Sequence, residues 1–173
     1  MYTKKFEMRW SDIDSNLHLR NSAYVDYMSH TRMSYFSEKG ISQSRLSALS
    51  LGPVVLHEHI HYFKEVLVGG PVTVSLALTG HSQDGVFFSF VHNFYNDSGQ
   101  NLARCRMLGA WIDLKTRKLT PPMAEMWTFL EGIPRAENFH ELTKEDLRAF
   151  GEYPQDLTAE TLSAAEVDAG KNK

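Results

Sequence analysis

The sequence predicts an α+β fold in which one long helix packs against an antiparallel β-sheet. Two observations lead to this fold class. Residues 22–39 carry apolar side chains at helical spacing, and residues 54–114 hold four strand-like segments separated by short linkers. A single helix followed by neighbouring strands is typical of a sheet that is covered on one face by that helix.

The first element is predicted to be a half-buried strand, because Phe6, Met8 and Trp10 alternate with charged residues. The long helix is predicted from Ser22 to Lys39, with Gly40 in the usual C-terminal position. Its buried stripe is expected to consist of Tyr24, Tyr27, Met28, Thr31 and Tyr35. A short second helix is predicted over residues 42–49.

The strand-like segments are residues 54–66, 72–79, 86–95 and 102–114. The linkers at 68–71, 83–85 and 96–99 are rich in Gly, Pro, Asn and Asp, which form turns. Because these linkers are short, we expect an antiparallel meander.

The pattern changes after Pro121 and Pro122. A helix is predicted over residues 123–130, and a second one opens at Thr143 and could end at Gly151. From Asp156 onward the composition predicts a frayed tail. We therefore expect a main domain over residues 1–122 and a helical extension with a flexible tail over residues 123–173.

Composition excludes several function classes. The 173 residues fit one domain, and 42% hydrophobic with 23% charged residues is ordinary for a soluble globular protein. A net charge of −3 gives no reason to expect a nucleic-acid partner, and no apolar run is long enough to span a bilayer. The single cysteine, Cys105, predicts no intrachain disulfide and a cytoplasmic location, and we interpret it as a core residue.

Polar side chains crowd residues 12–24, where the first strand gives way to the long helix. A helix N-terminus offers unpaired N–H groups and a partial positive charge, which can hold a developing oxyanion. A carboxylate just upstream could attack a bound carbonyl or activate water against it. This junction is therefore the candidate catalytic site.

The run Arg9-Trp10-Ser11-Asp12-Ile13-Asp14, followed by His18, Asn21 and Tyr24, resembles the N-terminal signature of hotdog-fold thioesterases. The most similar groups are the 4-hydroxybenzoyl-CoA thioesterase-like and acyl-carrier-protein thioesterase-like proteins. Residues 97–121 also resemble the last strand and exit of that family, so the match covers about residues 4–122. The resemblance implies a hotdog fold, a long helix wrapped by an antiparallel sheet. It also implies a homodimer or tetramer joined edge to edge, active sites at the subunit interface, and no metal or tightly held cofactor.

Three positions differ from the family pattern. Leu17 replaces the usual Gly, Arg20 replaces the first Asn of a pair, and Ser29-His30 stands where acidic residues are common before Arg32. The first two lie in the turn that carries the active site, so they bear on activity and on substrate preference.

The resemblance assigns Asp14 as the catalytic carboxylate, acting as nucleophile or general base. From the residues alone, Asp14 could instead cap a turn. Asn21 matches the position whose backbone N–H faces the thioester oxygen, although an Asn there also serves as a helix cap.

The run from Asp14 to His18 also resembles plant acyl-carrier-protein thioesterases. There, residues matching Asn16 and His18 polarise the carbonyl and assist water. His18 could equally bridge loop backbone, and Tyr24 is expected to pack at the pocket floor.

Two further features lie on the segment 54–66. Glu58 shares its even-numbered face with apolar residues (Val54, Leu56, Ile60 and Tyr62). It could act as a base that reaches the partner's Asp14, or form a salt bridge, which we favour. The other face carries His57, His59 and His61. These side chains spread over about 13 Å, so at most an adjacent pair could bind one zinc ion, and a polar row is the preferred interpretation.

The leading functional hypothesis is a cytoplasmic thioesterase that acts on acyl-CoA or an acyl carrier protein. The alternatives are a hotdog dehydratase or hydratase, for which the expected His–acid spacing is missing, and a non-catalytic acyl-thioester-binding protein. A metal-dependent hydrolase that uses the row of histidines is the weakest of the alternative hypotheses. The sequence does not determine which acyl group is bound. An aliphatic or an aryl pocket could be lined by the aromatic residues Phe87, Phe88, Phe90, Phe94 and Trp111.

Overall fold

The computed structural model of the chain describes residues 1–148 and 152–159. The strands are β1 (Tyr2–Phe6), β2 (Leu51–Tyr62), β3 (Val72–His81), β4 (Phe87–Tyr95), β5 (Asn101–Asp113) and β6 (Arg135–Glu141). The helices are α1 (Asn21–Glu38), α2 (Gln43–Ala48), α3 (Ala124–Glu131) and α4 (Lys144–Leu147), and a 3-10 turn spans Trp10–Asp12. Residues 1–143 form one compact unit, and the described residues from Lys144 onward belong to a second.

The sheet has the strand order β1-β3-β4-β5-β2, with antiparallel neighbours throughout this path. Strands β3, β4 and β5 form the predicted meander. The expectation that β2 belongs to the same meander is wrong, because β2 pairs with β5 at the far edge. The connection over residues 63–71 instead crosses the turn before α1, where the Leu19 N–H donates to the Val66 carbonyl at 2.8 Å.

Helix α1 packs against the inner face of this sheet and confirms the predicted helix to within a residue at each end. All five residues of its predicted stripe are buried. The helix is followed by Gly40, whose φ of 81° lies in the left-handed region that glycine adopts without a steric cost.

The core divides into two clusters along α1. One cluster joins the C-terminal half of α1 to aromatic residues of the sheet and to α3, and it includes Phe36, Phe88, Trp111 and Phe129. The other lies near the N-terminal half and includes Tyr24, Phe94 and Cys105. Cys105 is fully buried, which confirms its interpretation as a core residue, and burial raises the pKa of its thiol to about 12.

A β-bulge interrupts β2 at Leu56. Val55 pairs with Gly109 but His57 pairs with Leu108, so one residue of β2 is left over. The predicted even-numbered face is therefore wrong before the bulge. The extra residue exchanges the two faces of the strand. Before the bulge, the residues on the same face as Glu58 are therefore Pro53 and Val55, not Val54 and Leu56.

The first strand is shorter than predicted. It ends at Phe6, opposite Val72, which is the first residue of β3, so no partner strand continues toward Trp10. Trp10 lies in the 3-10 turn with 82% of its surface exposed. Strand β2 likewise ends before Val66, because the N–H groups of Phe63 and Lys64 both turn onto the carbonyl of Leu102.

The segment after Pro122 contains the predicted helix α3 but also a strand that was not predicted. Strand β6 pairs in parallel with the end of β3, where Gly80 lies opposite His140. A Cβ at position 80 would lie 2.5 Å from the His140 carbonyl oxygen, so this approach requires glycine. Helix α4 begins at Lys144, beside the predicted Thr143; the predicted end at Gly151 and most of the tail lie outside the described residues.

Candidate active site

A tight turn over residues 13–19 precedes α1. Ile13 and Leu19 form an antiparallel bridge, and the Asp14 N–H donates to the His18 carbonyl at 2.9 Å. The Leu17 N–H donates back to the Asp14 carbonyl at 3.1 Å. These bonds close the turn on itself immediately before the helix.

Leu17 holds the left-handed position of this turn, with a φ of 62°. This conformation costs a residue with a Cβ roughly 1 kcal/mol, which explains why the matching family position is usually glycine. The chain therefore keeps the conformation of the turn and tolerates the strain. The Leu17 side chain is 55% exposed, so it relieves none of this cost by burial.

Asp14 caps the turn with one of its two carboxylate oxygens. Its Oδ1 accepts the N–H of Asn16 at 2.9 Å and the N–H of His18 at 3.1 Å. The other oxygen, Oδ2, accepts no hydrogen bond from the residues that the structure describes. The turn-capping interpretation is thus correct for Oδ1, and it leaves Oδ2 available.

The N-terminus of α1 follows directly and begins at Asn21. Arg20, the cap residue, makes no side-chain capping bond, whereas Asn21 Oδ1 accepts the N–H of Ser22 at 2.9 Å. The Asn21 N–H has no acceptor within residues 1–148 and 152–159. An unpaired N–H at the positive end of a helix dipole is suited to an oxygen that gains negative charge.

An open cleft of about 430 Å³ joins the turn, the helix N-terminus and the crossing connection. Four predicted site residues line it: Asp14, His18, Asn21 and Tyr24. The opposite wall is formed by residues 62–66. The structure does not bring Asn16 or Glu58 into this cleft.

His18 has a partner that sequence reasoning missed. Its Nε2 lies 3.4 Å from Oε2 of Glu65, which also lines the cleft. Glu65 lies 47 residues further along the chain and carries no local motif. Only the crossing of residues 63–71 over the turn reveals it.

Tyr24 is buried and lines the cleft. Its ring packs edge-on against Tyr62 at 5.0 Å and at a tilt against Phe94 at 4.8 Å. Burial, together with the nearby Tyr62 and Asp14, raises the pKa of Tyr24 to about 12. The phenol therefore stays protonated at neutral pH and can donate a hydrogen bond.

Asp12, the other aspartate of the motif, has a structural role. It is buried, and its Oδ2 accepts the Tyr27 hydroxyl at 2.9 Å and the backbone N–H of Arg9 at 3.1 Å. Burial alone would raise the pKa of Asp12, but the bonds from Tyr27 and Arg9 outweigh it and hold the pKa below its ordinary value. Asp12 thus ties the 3-10 turn to α1.

Glu58 forms an ion pair inside its own chain. Its Oε1 lies 3.4 Å from a guanidinium nitrogen of Arg32, whose other contacts are Ser29 at 3.0 Å and His92 at 3.2 Å. His92 is completely buried, and burial, reinforced by Arg32, lowers its pKa to about 3. The neutral His92 and the carboxylate of Glu58 together stabilise the buried guanidinium of Arg32.

His57, His59 and His61 lie on the outer face of the sheet, opposite Leu108, Arg106 and Arg104. The rings of His59 and His61 are 4.6 Å apart. Within the described residues, no three His, Cys, Asp or Glu side chains come together as ligands for a metal ion.

Comparison with known proteins identifies the family. A family model of the thioesterase-like superfamily matches residues 8–130. The chain belongs to this superfamily. The long helix packed on an antiparallel sheet is the hotdog fold of these proteins. No curated protein sequence matches the chain.

Several solved structures share this fold. A 1,4-dihydroxy-2-naphthoyl-CoA thioesterase from Synechocystis is 19% identical, with a TM-score of 0.65, over 75% of this chain and 93% of that one. A hypothetical protein from Staphylococcus aureus in complex with CoA is 19% identical, with a TM-score of 0.69, over 90% and 94%. A hypothetical protein from Aquifex aeolicus is 18% identical, with a TM-score of 0.69, over 75% and 99%.

This thioesterase-like chain has no helix in the described residues that is long and apolar enough to cross a membrane.

Proposed function

We propose that the protein is an acyl thioesterase that hydrolyses the thioester of CoA or of an acyl carrier protein to a carboxylate and a thiol. The observation that carries this proposal is the meeting of two groups in one cleft. Among the described residues, one carboxylate oxygen of Asp14 accepts no hydrogen bond, and the N–H of Asn21 begins α1 in the same cleft. Membership of the thioesterase-like superfamily supports the same chemistry.

The reaction divides between these two groups. Asp14 Oδ2 either attacks the thioester carbonyl, giving an acyl anhydride that water then hydrolyses, or takes a proton from the water that attacks. The Asn21 N–H and the helix dipole stabilise the oxyanion. In either route the oxyanion collapses with cleavage of the C–S bond, which in the first route is the step that forms the anhydride. The thiolate leaves and takes up a proton from solvent, and in the second route Asp14 returns its proton to solvent.

The remaining site residues have supporting roles in this proposal. His18, held by Glu65, positions Asp14 through its backbone N–H and presents its imidazole to the cleft. Tyr24 forms the floor. Asn16 contributes its backbone N–H to the turn, so the direct role inferred from plant enzymes has less support. The ion pair with Arg32 favours a structural role for Glu58 over that of a base.

Assembly through the edge strand β2 belongs to the proposal. Within the described residues, β5 is the only strand that pairs with β2, which is 12 residues long and lies at the edge of the sheet. Val55, Leu56, Tyr62 and the adjacent Phe63 are each about half exposed. A long apolar edge of this kind is suited to pairing with a second copy. A tetramer of two such dimers and a cytoplasmic location stay predictions.

The test is turnover of a thioester panel. Saturated acyl-CoAs, benzoyl-CoA and one acyl carrier protein are incubated with the protein, and released thiol is measured. We expect thiol release that survives a chelator, because no step of the proposal uses a metal ion. Addition of water to an unsaturated acyl-CoA without thiol release would identify a hydratase. Tight binding of every substrate with no turnover would identify a binding protein.

A further inference from the structure

A second cavity, of about 150 Å³, lies between α1 and the sheet at the other end of β2. Met33 and Val55 stand at its mouth and are 41% and 48% exposed. Its floor consists of buried apolar side chains, namely Phe36, Phe88, Phe90 and Met107. The cavity therefore opens beside the edge strand β2 and is closed inside the core.

The size and lining of this cavity select a small apolar group. A cavity of about 150 Å³ lined by apolar side chains holds a ligand the size of benzene. The polar groups at its wall are Ser29 and Arg32, and the guanidinium of Arg32 already contacts Ser29, Glu58 and His92. The cavity thus has no uncompensated charge that calls for an ionic ligand.

Phe88 gives the floor a rigid side. Its ring packs 5.2 Å from the ring of Trp111 and lies directly over Gly109, where a Cβ would come within 2.6 Å of it. Because the Phe88 ring lies in contact with the backbone at Gly109, it cannot move further away from the cavity.

Phe36 forms the deep end of the floor and is held from outside the cavity. The ring of Phe129 on α3 meets it edge-on at 4.5 Å, and Trp111 lies at 6.5 Å. Phe129 itself does not line the cavity. Helix α3 therefore contacts the lining of the cavity through the Phe129–Phe36 pair.

The link between this cavity and Asp14 rests on the proposed function and its β2-paired dimer. Within one chain, Asn21 and Met33 are 12 positions apart on α1, or about 18 Å along the helix, beyond the reach of a six-carbon acyl group. Two-fold pairing of β2 is antiparallel, so the Tyr62 end of one strand meets the Leu51 end of the other. The cleft of each protomer then lies beside the cavity of its partner.

We infer that this cavity receives the acyl group of the thioester, admits groups of up to about six carbon atoms, and owes this limit to Phe129, which positions Phe36. The C-terminal extension thereby acquires a function in substrate selection. Phe129 is a positioning residue, since it acts through Phe36 and touches no substrate.

The experiment measures kcat/KM and Kd for the CoA thioesters of acetate, butanoate, hexanoate, octanoate, dodecanoate and benzoate. For the unaltered protein, both affinity and kcat/KM should rise about tenfold per two methylene groups up to hexanoyl-CoA, and no further. Benzoyl-CoA should match hexanoyl-CoA. A preference for dodecanoyl-CoA over hexanoyl-CoA would overturn the inference.

Phe129→Leu should raise the octanoyl-to-hexanoyl ratio of kcat/KM about tenfold, because Phe36 can withdraw and admit two more carbons. The matched control is Phe139→Leu in the same extension, whose ring packs on His81 and Arg135; its ratio should not change. Phe36→Leu enlarges the cavity directly and replaces Phe129→Leu if that variant does not fold. Equal shifts in Phe129→Leu and Phe139→Leu would refute the role of Phe129.

Binding separates this inference from the proposed function. If no thioester is hydrolysed but affinity still increases up to hexanoyl-CoA and then stops, the cavity assignment stands and the hydrolase proposal fails. If thioesters are hydrolysed with no break at six carbons, the hydrolase proposal stands and the cavity assignment fails. Affinity that is independent of the acyl group also rejects the cavity assignment.

Discussion

Two turns of this protein have the same local construction. The turn over residues 13–19 and the turn over residues 112–119 are each closed by an isolated bridge, Ile13 with Leu19 and Ile112 with Leu119. In each, an aspartate follows the first bridge residue and its Oδ1 accepts two backbone N–H groups. In each, a non-glycine residue holds a left-handed φ, 62° at Leu17 and 60° at Arg117.

The two turns differ in what surrounds them. The Asp14 turn leads directly into α1 and shares a cleft with Asn21 and Tyr24. The Asp113 turn lies at the exposed end of β5, and the next helix, α3, begins only at Ala124. An aspartate-capped turn is therefore not a catalytic site by itself. Its neighbours make the Asp14 turn the candidate.

The largest expected difference between the turns is in turnover. Asp14→Asn should lower kcat by about two orders of magnitude or more, the scale of a lost catalytic base. The amide oxygen can still accept the two N–H groups, so dimerisation, Tm and Kd should change little. Asp113→Asn is the matched control and should leave kcat unchanged. Steady-state kinetics on the best thioester measure both.

If Asp14→Asn retains most of its turnover, the two aspartates are equivalent turn caps. Catalysis would then have to be sought at His18 and Glu65.

His18 and Lys118 occupy equivalent positions in the two turns and allow a second comparison. Each carbonyl accepts the N–H of its own turn's aspartate, but only His18 faces the cleft. His18→Gln should lower kcat about tenfold, less than Asp14→Asn does. Lys118→Gln should leave kcat unchanged. A similar response in both variants would mean that the imidazole takes no part in the reaction.

The shared strain predicts a property in which the turns should agree. Leu17→Gly and Arg117→Gly should each raise the free energy of unfolding by about 1 kcal/mol, because glycine adopts a positive φ without a Cβ clash. Urea unfolding measures the gain. Leu17→Ala and Arg117→Ala keep the Cβ and should show none. A gain in the alanine variants would assign the effect to the lost side chains.

The smallest expected effect is the titration of Asp113. The backbone N–H of Thr116, with further hydrogen bonding by Thr116 and Lys115, holds its pKa below the ordinary value. The ordinary pKa of an aspartate is about 4. Because the pKa of Asp113 is lowered in the folded protein, the ionised carboxylate stabilises the turn fully above about pH 4. This stabilisation is lost as the pH falls through the lowered pKa. NMR titration of the carboxyl group should find this lowered pKa. An ordinary value would mean that these bonds are weak in solution.

Several parts of this protein could be predicted from the sequence because they depend on local interactions. The helical spacing of Tyr24 to Tyr35 determined α1 and its buried face, and Gly40 determined its end. Asp14, His18, Asn21 and Tyr24 lie within eleven consecutive positions. A turn followed by a helix is enough to bring such close neighbours into one cleft.

Other parts could not be predicted, because they depend on pairing between distant segments. The charged sequence of β6 becomes a strand only because the end of β3 is left uncovered beyond β1. The bulge at Leu56 reverses the faces of β2, and no local pattern marks it. Glu65 reaches His18 because the connection crosses the sheet to β3 instead of forming a hairpin.

The sequence by itself thus determined the family resemblance, the long helix and the turn that carries Asp14, since neighbouring residues fix backbone dihedrals and short-range hydrogen bonds. Only the tertiary structure decided that β2 is an edge strand, that Glu58 pairs with Arg32, and that Phe129 of α3 packs against Phe36, which lines a small cavity. These features depend on which surfaces pack together. Packing is governed by the burial of apolar area summed over distant segments, which no local pattern specifies.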